Sequence, residues 1–276
     1  MDSLYDQLLK LQQIPHAYEH WKAYRAALTE FIVQHTCKGT SVIVIGAGEC
    51  NDFDLYRMAQ HFSKVTLLGR NDTAMYAGLG KQDPMLRNVY VVKADLLGIS
   101  DASYRTMDDV LLQEIHKQLR SKRMDARAFE QLFLAQMQTA LQCRKPDPLI
   151  QRGATADYVI CCGVHSQLLS MFPQMAGIYH RYMDFDISGI YRAIKATNTV
   201  ITRELNIRLM QMAKFGIFLG LEKCRAGIDG GIEGASQALR DIEQSNVPIA
   251  CETTLLWPFD QSQKKTCIIR VFMIER

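Results

Sequence analysis

Val42-Ile43-Val44-Ile45-Gly46-Ala47-Gly48-Glu49-Cys50-Asn51-Asp52-Phe53-Asp54-Leu55 opens as an unbroken β-branched run, stops at a glycine, turns, and passes into a helical pattern. A short run with no polar alternation reads as a strand buried on both faces, the signature of a parallel sheet covered by helices. Glycines at its end permit a tight turn and let the main chain approach a ligand closely. Amides near the following helix start can hold an anionic group. The loop lies at the carboxyl end of the first strand, where open α/β sheets bind ligands. The third glycine of the dinucleotide fingerprint is absent, because Asn51 stands there.

Outward from this stretch the pattern alternates. Residues 3–35 carry apolar positions at helical spacing (Leu4, Leu8, Leu11, then Trp21, Tyr24, Leu28, Phe31, Ile32), with Pro15 between two helices. After the glycine loop come a helix over Asp52–Phe62, a strand over Lys64–Leu68, a helix over Asp72–Leu79 and a strand over Val89–Lys93. Residues 104–142 read as two amphipathic helices ending near Pro146 and Pro148, longer than an ordinary crossover. A fourth strand at Asp157–Gly163, a long helix around Ile187–Ala213, a fifth strand at Phe215–Leu221 and a helix at Gly230–Gln244 follow. The last two strands, Cys251–Trp257 and Thr266–Ile274, are joined by a turn too short for a crossover helix, so they pair antiparallel. The expected fold is α/β: a Rossmann-like, mostly parallel seven-stranded sheet with helices on both faces and a C-terminal antiparallel hairpin. We expect an N-terminal helical cap over 1–37 and an α/β domain over 38–276, with a helical insertion at about 104–150.

Composition narrows the function classes. Of 276 residues 48% are hydrophobic and 22% charged, as in an ordinary globular protein. A net charge of +3 without a concentrated basic stripe gives no reason to expect nucleic acid as a partner. The apolar runs are too short to span a bilayer, so no membrane partner is expected. The eight cysteines lack Cys-x-x-Cys pairs and zinc spacing, which argues for a reducing, cytoplasmic setting and no metal. Oligomeric state is not legible.

The quoted stretch resembles the first motif of class I S-adenosylmethionine-dependent methyltransferases, especially a bacterial branch with Gly-Ala-Gly followed by Asn-Asp. Val91-Val92-Lys93-Ala94-Asp95-Leu96 is similar to the family's third-strand motif. Asp157-Tyr158-Val159-Ile160-Cys161-Cys162-Gly163-Val164-His165-Ser166-Gln167 resembles the fourth-strand motif that leads into the catalytic face. The terminal hairpin matches as well. The resemblance implies S-adenosylmethionine as cofactor. It would be held by Gly46, Ala47, Gly48, Asn51 and Asp52, by Gly69, Arg70, Asn71 and Asp72 after the second strand, by Ala94, Asp95 and Leu96, and by Cys162 and Gly163. Two positions depart from the family. The acidic residue that usually ends the second strand is replaced by Leu68-Gly69-Arg70, leaving Asn71 or Asp72 to hold the ribose. The acidic residue two places before the first glycine is Val44.

Methyl transfer from a sulfonium is an in-line displacement, so the protein's main work is holding acceptor and methyl group together with water excluded. A base is needed only where the acceptor loses a proton. His165, directly after the fourth strand, is the candidate base, with packing or capping as its alternative role. The expected acceptor is a small molecule, its pocket covered by the insertion and the N-terminal helices. Tyr18, Trp21 and Tyr24 could form an aromatic lid or ordinary core. His16 and His20 lack a third metal ligand, and Lys117, Arg120, Lys122, Arg123 and Arg127 read as a solvated face. Two alternatives remain open. One is an NADP-dependent oxidoreductase, with Arg70 meeting a 2′-phosphate. The other is a non-catalytic relative that binds the cofactor.

Overall fold

In a computed structural model the chain is described over residues 3–11, 13–123, 125–145, 155–226, 233–244, 247–260 and 264–276. Seven strands form one sheet in the order β3-β2-β1-β4-β5-β7-β6. They are β1 (Ser41–Ile45), β2 (Lys64–Gly69), β3 (Val89–Lys93), β4 (Ala156–Cys162), β5 (Ala213–Ala226), β6 (Ile249–Asp260) and β7 (Lys265–Glu275). The first five pair parallel, and β7 lies antiparallel between β5 and β6. The expected sheet and hairpin are both present.

The chain divides into two compact units. The sheet unit draws on the spans Ile14–Leu96, Asp147–Gln167 and Ile201–Arg276. Its core shows why β1 carries no polar residue after Ser41: Val42, Ile43, Val44 and Ile45 are all buried. Val42 and Val44 belong to one cluster with Leu28, Phe31 and Ile32 of the helix Lys22–Gln34 and with Ile160, Phe218, Ile269 and Val271 from neighbouring strands. Helix Leu55–His61 packs on β2, helix Asp72–Gln82 on β2 and β3, and helix Glu233–Gln244 on β5.

The helical unit draws on Met1–Gln13, Leu97–Pro146 and Leu168–Val200. Helix Leu4–Leu11 packs on Asp101–Ser121 and Met171–Met183, and Ala126–Gln142 packs on both of the latter two. Buried Asp108 holds these pieces together, accepting the Leu4 amide at 2.8 Å and the Tyr179 hydroxyl. Tyr5 donates to Asp101 at 2.6 Å and stacks on Tyr104, and Arg105 pairs with Asp6 at 2.9 Å. The 26-residue helix Ile187–Met212 contributes to both units.

Some boundaries differ from the sequence reading. The helix expected from Asp52 begins at Leu55, because Asn51, Asp52 and Phe53 remain in the turn. Asp54 caps it by accepting the Arg57 amide at 3.0 Å, and Thr29 fixes the Asp54 amide at 2.9 Å. Strand β5 is twice as long as expected, 14 residues, because its outer half is paired by β7 from Leu221 to Ala226. Pro146, Pro148, the first residues of the expected Gly230–Gln244 helix and the centre of the terminal turn lie outside the described residues.

Candidate functional site

The strand order runs outward from β1 to β3 and resumes on the other side of β1 with β4. This is the switch point outside which open sheets take ligands. Register brings the expected residues to that edge: Ile45 lies beside Leu68 and Cys161, and Gly69 beside Lys93. Gly46, Arg70, Ala94 and Gly163 therefore emerge together at the carboxyl ends of four adjacent strands.

Gly46 and Gly48 have φ of 70° and 51°, the left-handed region that favours glycine. The Gly46 and Ala47 amides donate to Leu68 O at 2.8 and 3.3 Å, stitching the loop to β2. The Cys50 amide closes a turn on Ala47 O at 2.7 Å, a bond that leaves out the amides of its central residues, Gly48 and Glu49. A side chain at Gly46 would meet a Val164 methyl at 2.6 Å, whereas one at Gly48 would meet nothing nearer than Gly46 O at 3.9 Å. Ala47 within the loop and Asn51 just after it are buried, and Asp52 is half-buried.

After β2, Asn71 caps helix Asp72–Gln82 through the Ala74 amide at 3.0 Å, and Asp72 lies 3.6 Å from Lys93 Nζ. Both candidates for the ribose position thus have structural duties of their own. Arg70 lies 3.8 Å from the Asp95 carboxylate, and Gly69 O accepts the Ala94 amide at 2.8 Å. Leu96 follows, half-buried. Gly163 has φ of 67° and donates to Gly220 O at 3.0 Å, and its α-carbon faces the Trp257 ring. Cys162 is buried, and burial pushes its thiol well above the ordinary range, which removes it as a nucleophile.

His165 sits in a single 3-10 turn, His165–Gln167, with its ring wholly buried. Nε2 lies 2.8 Å from Asn206 Oδ1, which assigns the proton to Nε2. Nδ1 has no partner among the described residues. Burial pushes its pKa down to about 4, against the bond to Asn206, so the ring is neutral at ordinary pH. The next residue reaches a group that the sequence reading missed. Ser166 donates to Glu222, a wholly buried carboxylate near the end of the parallel part of β5. Only burial distinguishes Glu222 from a surface glutamate, and Leu221-Glu222-Lys223 carries no signal of it.

The other features resolve by packing. Trp21 and Tyr24 are core residues, with Trp257 at 4.9 Å and 5.6 Å from their rings, and Tyr18 lies under the Arg25 guanidinium at 3.9 Å. Arg120, Lys122, Arg123 and Arg127 are exposed. Among the described residues no three His, Cys, Asp or Glu side chains could share a metal ion, and no helix is long and apolar enough to cross a membrane.

No protein-family model matches the chain, and no curated protein matches it. Among solved structures it is similar in fold to the N-methyltransferase NodS from Bradyrhizobium japonicum, at 9% identity and a TM-score of 0.48, over 95% of this chain and 99% of that one. Magnesium protoporphyrin IX methyltransferase from Synechocystis, crystallised with bound S-adenosylmethionine, gives 10%, 0.47, 94% and 85% for the same quantities. An rRNA methylase from Streptococcus thermophilus gives 9%, 0.41, 90% and 94%. The fold of this chain stands on its own hydrogen-bonded strand order. That order gives the oxidoreductase expectation no support: an antiparallel strand separates β5 from β6, where the dinucleotide fold continues in parallel, and Arg70 faces Asp95.

Proposed function

We propose that the chain binds S-adenosylmethionine across the carboxyl ends of β1 to β4 and transfers its methyl group to a small-molecule acceptor. The observation that carries this reading is the Gly46–Gly48 loop, with left-handed glycines, open space over Gly48, and a position at the strand-order reversal. The sequence resemblance and the antiparallel β7 support it. Gly46, Ala47 and Gly48 bring main chain against the ligand, and Asn51 and Asp52 lie at the foot of the loop. Gly69, Arg70, Asn71 and Asp72 flank the ribose side, Ala94, Asp95 and Leu96 the base, and Cys162 and Gly163 the sulfonium side. The bound donor supplies an already activated methyl group, leaving the protein to orient an acceptor and exclude water.

His165, neutral and sealed, acts in this reading as a positioning residue that fixes the turn carrying Ser166. Calorimetric titration with S-adenosylhomocysteine tests the reading. Binding in the micromolar range is expected, and no heat at millimolar ligand would overturn it. The expectation of a non-catalytic relative is decided by turnover: a binder that methylates no member of a broad acceptor panel belongs to that class.

A further inference from the structure

The two edges of the sheet are built differently. β3 is five residues long and ends at Lys93, and Lys64 of β2 lies over its Tyr90 ring at 5.2 Å. A short strand with charge at its rim gives an incoming strand little to pair with. β6 is 12 residues long and, among the described residues, pairs with β7 alone. Its residues 251–257 run in unbroken register with 273–267 of β7, and the register shifts that bend the strand fall at either end of that stretch. Trp21 covers the far end, donating to Phe259 O at 3.2 Å. Between Pro248 and Pro258 there is no Lys, Arg or Pro, and Glu252 is the one charge. The features that protect a sheet edge are thus confined to the ends of β6.

The side chains of this strand alternate. Cys251 and Leu255 pack partly buried against the core cluster, which includes Trp257 and residues of helix Lys22–Gln34. Ala250, Glu252, Thr254 and Leu256 are exposed, Leu256 by 65%, and Ile268, opposite Leu256 on β7, by 38%. Arg270, opposite Thr254, donates to Glu252 at 2.9 Å and to Glu243 at 3.1 Å.

We infer that β6 is an interface between two copies of this chain, paired antiparallel about a two-fold axis at Thr253, so that two seven-stranded sheets join into one. Charge and apolar match along the strand select a second copy and this register. The helix-covered faces must stay on one side of the joined sheet, so opposing residues are both odd or both even, and the axis falls on a residue. An axis at Glu252 sets two carboxylates against each other. One at Thr254 sets Glu252 opposite Leu256, with Ile268 behind it. One at Leu255 sets Glu252 opposite Pro258, which has no amide for the ladder. The axis at Thr253 sets Glu252 of one copy opposite Thr254 of the other, on the row that continues to Arg270. It also sets Ala250 opposite Leu256 and Cys251 opposite Leu255, apolar against apolar. Two-fold symmetry gives each of these pairs twice.

Sedimentation equilibrium of the full chain from about 1 to 200 µM tests the inference, which is independent of the methyl-donor reading. A species of twice 31.4 kDa is expected, with half-association in the micromolar range. Ala250 and Leu256 are both exposed, so substitutions there leave the fold of one copy intact, as circular dichroism melting will check. Ala250→Lys with Leu256→Lys sets lysine opposite lysine at two places and should weaken association at least about tenfold. Ala250→Lys with Leu256→Glu sets lysine opposite glutamate at the same places and should restore it. A wild-type chain that stays at 31.4 kDa throughout overturns the inference and leaves the edge to an extended segment of another protein. A dimer indifferent to the double lysine variant overturns it too, placing the contact elsewhere. Dissociation by the lysine pair that the lysine–glutamate pair fails to reverse overturns the register at Thr253.

Discussion

At the scale of single residues, His165 and Asp52 give the protein opposite responses to acid. His165 has its folded pKa pushed from the usual 6.5 down to about 4 by burial, so unfolded chains bind the extra proton first as pH falls. Its contribution is present above about 6.5 and is lost progressively down to about 4, on the order of 3 kcal/mol in all. Asp52 moves the other way. Burial raises its folded pKa from 3.8 to about 7, so the folded state holds a proton that the unfolded state has given up, and stability falls as pH rises through that window. The two slopes oppose each other between pH 4 and 6.5. Urea unfolding across that range should show Asp52→Asn losing stability steeply on acidification and His165→Gln gaining it. Parallel profiles for both variants would contradict these environments. The glycines divide in the same manner. Gly46→Ala must displace Val164 and should melt well below Gly48→Ala, where strain at positive φ alone costs on the order of 1 kcal/mol. Gly48→Ala should instead weaken S-adenosylhomocysteine binding at least about tenfold, because its methyl stands where the ligand is proposed to lie. The glycines were legible in the sequence because their spacing is local. The surroundings of Asp52 were not, since Tyr24 and Glu222 are 28 residues before it and 170 after.

At the scale of elements, helix Asp72–Gln82 supports the glycine loop from behind. A side chain at Gly78 would stand 2.0 Å from Glu49 O, and Gln82 ties down Cys50 O and Phe53 O at 2.9 Å each. Gly78→Ala is therefore expected to push the loop off its seat. It should lower both the melting temperature and S-adenosylhomocysteine affinity, although residue 78 is outside the proposed ligand contacts; unchanged affinity in a folded variant would refute the coupling. The helix Glu233–Gln244 is equally close to the turn at His165, whose carbonyl lies 1.9 Å from where a Gly234 side chain would begin. Helix and strand types were readable from hydrophobic period alone, because burial on one stripe or on both faces writes itself into neighbouring residues. The start of helix Leu55–His61 was not. Asp52 and Asp54 are equally good caps by composition, and the bond from the Asp54 amide to Thr29, 25 residues earlier, selects the second.

At the scale of the molecule, the chain passes back and forth between a sheet unit and a helical unit rather than completing one before the other. The apolar period of residues 4–11 announces a buried face without saying what covers it. The covering elements are Asp101–Ser121 and Met171–Met183, fixed by the acceptor role of Asp108. Removing residues 1–11 should loosen amide protection in those two helices while β1 to β4 keep theirs. Asp108→Ala should do the same, at a cost of about 2–4 kcal/mol for two buried donors left without their acceptor. Hydrogen exchange resolved by segment reads both.

The placement of β7 has a consequence for synthesis. It is made after β6 yet lies inside it, hydrogen-bonded on both sides. While the ribosome is still adding residues 265–275, β6 has no neighbour and β5 presents a bare flank 14 residues long. A nascent chain halted at about residue 264 would thus display two unpaired edges instead of a slightly shortened product. Such a fragment should be captured by chaperones or aggregate, whereas loss of the short rim strand β3 would not open the middle of the sheet.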